Sequence, residues 1–90
     1  MQFNVSENLL KMYKQTGKNP NLMIDYILSV IDSRNCQLYF KSFDKMPFDD
    51  NKVAFEISKS NVKFIENLFN DINDNIVEKI LWISLLFQEV

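Results

Sequence analysis

Two pairs of carboxylates are spaced closely enough to suggest chemistry: Asp49 beside Asp50, and Asp71 three residues before Asp74. Paired acids can divide general-acid and general-base roles when their surroundings push their pKa values apart. The run Asp71-Ile72-Asn73-Asp74-Asn75 also alternates hard oxygen donors of the kind that suit calcium. Neither pattern is completed. The second lacks the turn glycine and the distal bidentate glutamate of an EF-hand loop, and acids so placed commonly cap helices and turns. The chain has no histidine, the side chain that titrates nearest neutral pH. Cys36 is the sole cysteine, with Arg34 before it and Lys41 after it. A lone thiol ahead of a strand reads as a small apolar filler unless a nearby cation or helix N-terminus lowers its pKa. No nucleophile–base pair and no glycine-rich phosphate loop is present. The expectation is therefore a protein that is not an enzyme, with no catalytic, cofactor-binding or metal-ligating residues.

The elements that would position any site follow from periodicity. Ser6 suits the cap of a first helix in which Leu9, Met12 and Tyr13 recur at helical spacing, with Lys11, Lys14 and Gln15 opposite and Gly17 as its stop. Asn19 and Pro20 restart the chain, and a second helix is predicted from about Pro20 to Ser33. Its apolar face carries Ile24, Ile27, Leu28 and Ile31. The period then changes: Cys36 to Phe43 reads as a strand, and so does Val53 to Ser58 after the proline- and aspartate-bearing stretch 44–51. The simplest pairing is an antiparallel hairpin with a connection of about eight residues, longer than the usual two to five. A third helix, capped by Ser60 or Asn61, places Val62, Ile65, Leu68, Phe69 and Ile72 on one side. A last helix from Ile76 to about Gln88 is apolar nearly all round, its start resembling a capping box of Asn75 with Glu78. For Leu81 to Phe87 a buried strand stays open as an alternative, because a short apolar run fits either period. The fold class predicted is α+β: one small domain spanning 1–90, in the order α-α-β-β-α-α, with the hairpin packed on a helical layer holding Ile27, Ile31, Ile65, Phe69, Ile80 and Ile83.

Composition narrows the partners. Eight Phe, three Tyr and one Trp in 90 residues offer more bulky apolar area than a core of this size usually absorbs, and surplus apolar surface is commonly an association surface. Residues 1–45 hold six basic and four acidic groups, a balance of +2, while 46–90 hold four and eight, a balance of −4. Arg34 is the only arginine, and bidentate reading of phosphate or guanine leans on arginine. Direct nucleic-acid binding is thus disfavoured. The apolar run from Ile80 to Phe87 falls well short of the roughly 20 residues that span a bilayer as a helix. With no basic flank and apolar stretch of a signal peptide at the start, and no disulfide framework, a cytoplasmic location without membrane contact is the default expectation.

The function expected is a non-catalytic protein–protein interaction module, a small inhibitor or adaptor. By analogy it would be of the phage or mobile-element kind, anti-CRISPR proteins included, that blocks a basic nucleic-acid-processing protein. The partner-binding surface would be the tip where Phe43, Met46 and Phe48 interleave with Asp44, Asp49 and Asp50, apolar anchors beside rim charge. Asp71 and Asp74 could add to it. Two alternatives stand beside this one. The order strand, helix, helix from Val53 onward resembles the ribbon-helix-helix family of dimeric DNA-binding repressors. That resemblance implies a strand paired with its dimer mate, with Ala54, Glu56 and Ser58 turned to the major groove; a glutamate at the centre of such a ribbon opposes phosphate electrostatics. The other alternative is an assembly protein, possible as a homodimer, that self-associates through Trp82, Leu86 and Phe87.

Overall fold

The computed structural model describes residues 1–30 and 50–86. Within them six elements follow one another: β1 (Gln2–Ser6), α1 (Glu7–Thr16), α2 (Pro20–Val30), β2 (Lys52–Glu56), α3 (Lys59–Phe69) and α4 (Asp74–Leu86). Four helices with one two-stranded antiparallel sheet make these residues mostly helical and compatible with an α+β class.

The opening strand is an addition to the expected order. Phe3 and Val5 are buried while Gln2 and Asn4 are exposed, which is the period-two pattern of a half-buried strand. Five residues of it run without a turn into a helix cap, so the local signal is easily absorbed into the helix start. β1 pairs with β2 in the register Gln2↔Glu56, Phe3↔Phe55, Asn4↔Ala54, Val5↔Val53 and Ser6↔Lys52. The expected strand at 36–43, and the hairpin it would form, lies outside the described residues; the described partner of β2 is β1.

Bonds at the two ends of the ladder fix which backbone groups face inward. Ile57 N–H donates to the Met1 carbonyl and Glu7 N–H to the Asn51 carbonyl, both at 3.0 Å. In antiparallel pairing that alternation turns the backbone of Asn4 and Glu56 away from the partner strand. Side chains meet both groups. Asp74 Oδ1 accepts from the Asn4 amide at 3.0 Å, and Asn21 Nδ2 donates to the Glu56 carbonyl at 3.1 Å. Polar side chains thereby blunt part of each strand edge, which would otherwise offer a template for further pairing.

The helix boundaries follow from capping. Ser6 Oγ accepts from the Leu9 amide to start α1, and Gly17, with φ of 70°, ends it by donating to the Lys14 carbonyl. Asn19 Oδ1 accepts from the amides of Asn21 and Leu22, and Pro20 takes the first helical position of α2. Two expected caps are corrected. Ser58, not Ser60 or Asn61, caps α3, because the strand ends at Glu56 and the helix starts three residues sooner than its apolar pattern. Asn73, not Asn75, caps α4 by accepting from the Ile76 amide at 2.9 Å. Glu78 is then free of the capping box and turns to Lys52.

α4 is the central element, packing against β1, α1 and α2, while α2 also meets α3. It spans Asp74–Leu86, so 81–86 is helix and not strand, and it buries Ile76, Val77, Ile80, Leu81, Ile83 and Leu85. Of the predicted core, Ile27, Ile65, Ile80 and Ile83 are buried and Phe69 is packed against them in part; Ile31 lies outside the described residues. Two polar groups in this core find partners. Ser84 Oγ donates to the Ile80 carbonyl at 2.7 Å, and the Tyr13 hydroxyl donates to the Leu81 carbonyl at 2.6 Å. Burial raises the Tyr13 pKa well above its ordinary value, with the neighbouring Ser84 side chain partly opposing the shift.

A lysine-rimmed groove as the candidate functional site

Of the six residues predicted to form the partner-binding tip, Phe43, Asp44, Met46, Phe48 and Asp49 lie outside the described residues. Asp50 is described, and it is engaged within the chain. Its Oδ1 accepts from Ser6 Oγ at 2.7 Å and its Oδ2 from the Asn8 amide at 3.0 Å. The carboxylate thus sits over the first turn of α1, where orphan amides and the helix dipole favour negative charge. Those two bonds, Ser6 first and Asn8 second, hold its pKa below the ordinary aspartate value.

Asp71 and Asp74, the other described acids that the sequence offered to a basic partner, are similarly occupied. Asp71 accepts from the Ile72 amide and from Asn73 Nδ2, and Asp74 covers the β1 edge. Asp71, Asn73 and Asp74 therefore act as turn and edge acceptors. Among the described residues no group of three or more His, Cys, Asp or Glu is arranged to hold a metal ion. Of the predicted self-association residues, Trp82 is half-buried against the core, Leu86 is exposed, and Phe87 lies outside the described residues. Among the described residues no helix is long and apolar enough to cross a membrane.

Periodicity did not single out a groove between α1 and β2. One section, about 260 Å³, is lined by Leu10, Tyr13, Lys14, Gly17, Lys18, Pro20 and Phe55. A second section of about 170 Å³ continues it past Glu7, Leu10, Lys11, Lys14 and Val53. Each part of the lining has a local cause. Val53 and Phe55 point to the helix-covered side of the sheet but stay half-buried. The left-handed turn at Gly17 swings the chain away into α2, leaving the end of α1 standing over β2. Tyr13 forms part of the wall while its hydroxyl is anchored inward on Leu81.

The rim is basic. Lys11 and Lys14, three residues apart, share one side of α1, and Lys18 follows the Gly17 turn; all three are exposed. Glu7 answers Lys11 from one turn earlier at 3.6 Å, an exposed pair worth little. The sequence signal for this rim was available in the lysine spacing, but lysines opposite an apolar stripe read equally well as a solvated face.

Sequence periodicity also missed a second apolar feature. Phe64 on α3 is 53% exposed and, with Asn67 and Leu68, borders a shallow depression. Leu22 and Tyr26 lie one turn apart on the exposed side of α2.

The strand that a ribbon-helix-helix protein would pair with its dimer mate here pairs with β1 of its own chain. Glu56, the residue that resemblance would turn to DNA, lies 2.6 Å from the Met1 amino group. No protein-family model matches the chain, and neither a curated protein nor a solved structure matches it.

Proposed function

We propose that this chain is a non-catalytic protein-binding module that works as an inhibitor or adaptor, by occupying a partner protein. The observation that carries the reading is the α1–β2 groove, an apolar trough with half-buried Val53 and Phe55 in its wall and three lysines on its rim. Its two sections, about 260 and 170 Å³, have room for side chains supplied by another protein. The exposed Leu22, Tyr26 and Phe64 support the same conclusion, since apolar surface on so small a chain favours association.

The partner with a basic surface expected to oppose these aspartates now depends on Asp44 and Asp49, because Asp50, Asp71 and Asp74 already accept from backbone and side-chain donors of this chain.

Affinity capture from the native host on the immobilised chain tests the reading, with an unrelated small acidic bait as control. A protein retained in stoichiometric amount, dependent on the chain being folded, is the expected result. Turnover of any substrate by the purified, metal-free protein overturns it.

A further inference from the structure

We infer that the α1–β2 groove receives a segment of the partner protein that presents one or two apolar side chains flanked by carboxylates. The inference rests on the protein-binding reading and adds the chemistry of the occupant. Leu10, Val53, Phe55 and Pro20 give the trough an apolar lining, and two sections of about 260 and 170 Å³ give it room for apolar side chains.

Charge selects what flanks those side chains. Lys14 borders both sections, Lys11 and Lys18 border one each, and Glu7 is the single acid among the described residues of the lining. Its position beside Lys11 offsets one lysine and leaves the Lys14–Lys18 end the more positive. An acidic segment is drawn to that end and a basic one repelled; rim charges of this kind act chiefly on association rate and partner choice. A nucleic-acid strand would also meet the lysines. It is the poorer fit, because strand-tracking grooves combine basic side chains with exposed aromatic platforms, whereas Tyr13 is buried and Phe55 half-buried.

The test follows the amide NMR spectrum of the full chain during titration with three probes. These are a short peptide with Phe and Leu between Glu and Asp residues, the same peptide with Lys in place of the acids, and oligo-dT. The acidic peptide is expected to shift the amides of Leu10, Lys14, Gly17 and Phe55, and to bind several-fold more weakly on going from about 50 to 500 mM salt, where screening is strong. Lys14→Glu with Lys18→Glu, both at exposed positions, should keep the fold by circular dichroism and transfer preference to the lysine peptide. The inference is overturned by absence of shifts with the acidic peptide, by shifts confined to other surfaces, by equal binding of the two peptides, or by tighter binding of oligo-dT. If the captured host partner is held equally by the double variant, the groove assignment fails and the protein-binding reading stands. If no partner is captured at all, it is that broader reading that fails.

Discussion

Asn61, on the first turn of α3, donates from Nδ2 to the backbone carbonyl of Asn21 on α2 at 3.1 Å. Asn21 in turn spreads its own amide over the neighbouring junction, donating to the Glu56 carbonyl and accepting from the Ser58 amide at 2.9 Å. Two asparagines thereby tie the start of α2 to the end of β2 and the cap of α3. Asn61 is 2% exposed, so its amide must be satisfied by protein. Asn61→Ala is expected to lower stability by about 1 to 3 kcal/mol, the range for a buried hydrogen-bonding group removed from its partner. Urea melts of Asn61→Ala measure that loss, and no loss would show that its amide is satisfied elsewhere; Asn21→Ala, which keeps the carbonyl that Asn61 donates to, reports the separate bonds to Glu56 and Ser58.

Lys52 reaches from β2 to the buried carboxylate of Glu78, with both oxygens within 3.0 Å of Nζ. Lys52→Met strands that carboxylate. Breaking a fully buried pair costs roughly 3 to 5 kcal/mol, but the lysine side is 41% exposed, so solvent screening reduces the expected loss to about 1 to 3 kcal/mol. Adding Glu78→Leu should restore most of it, because an apolar side chain needs no counterion. Thermal denaturation of the single and double variants measures both effects.

Asp50 makes stability depend on acid. Its folded pKa is depressed, so the unfolded chain binds the proton first as pH falls. The contribution is complete above the ordinary aspartate value of about 3.9 and disappears as pH drops through the lower folded value. Urea midpoints measured across the acid range should fall less steeply for Asp50→Asn than for the parent. Parallel curves would mean that the Ser6 and Asn8 bonds do not discriminate between the two charge states.

Tyr13 sets a limit at the alkaline end. Its folded pKa is raised by burial, so between the ordinary tyrosine value of about 10 and the folded value only the unfolded chain has lost the phenolic proton. Stability is full below that window and declines as pH rises through it. Tyr13→Phe loses the hydrogen bond to Leu81, a cost of about 1 kcal/mol at neutral pH, and should flatten the alkaline decline. An unchanged slope above pH about 10 would remove Tyr13 as its source.

Helices were legible in the sequence because capping and period reinforce each other over ten or more residues. Ser6, Gly17 and Pro20 mark their helix ends where their conformational preferences place them. The alternation of Val53, Phe55 and Ile57 likewise gave the β2 face. What could not be read locally was pairing. β2 carries no mark that names β1 as its neighbour, and a strand partner chosen by proximity in sequence misses one that is distant along the chain. The same holds for the acids. Asp50, Asp71 and Asp74 looked like free surface charge because the amides and hydroxyls they accept from belong partly to segments brought close only by folding. The groove was the least legible feature, since it exists only where α1 leaves part of β2 uncovered.

The register that sets Gln2 against Glu56 also governs when the molecule can take shape during synthesis. β1 leaves the ribosome before β2, its described partner, and α4, which covers β1, emerges later still. Closing so long a loop is slow relative to local helix formation. Phe3 and Val5 therefore lack this cover until then, and a nascent chain halted before β2 should be markedly more sensitive to protease at β1 than one that has reached Leu86.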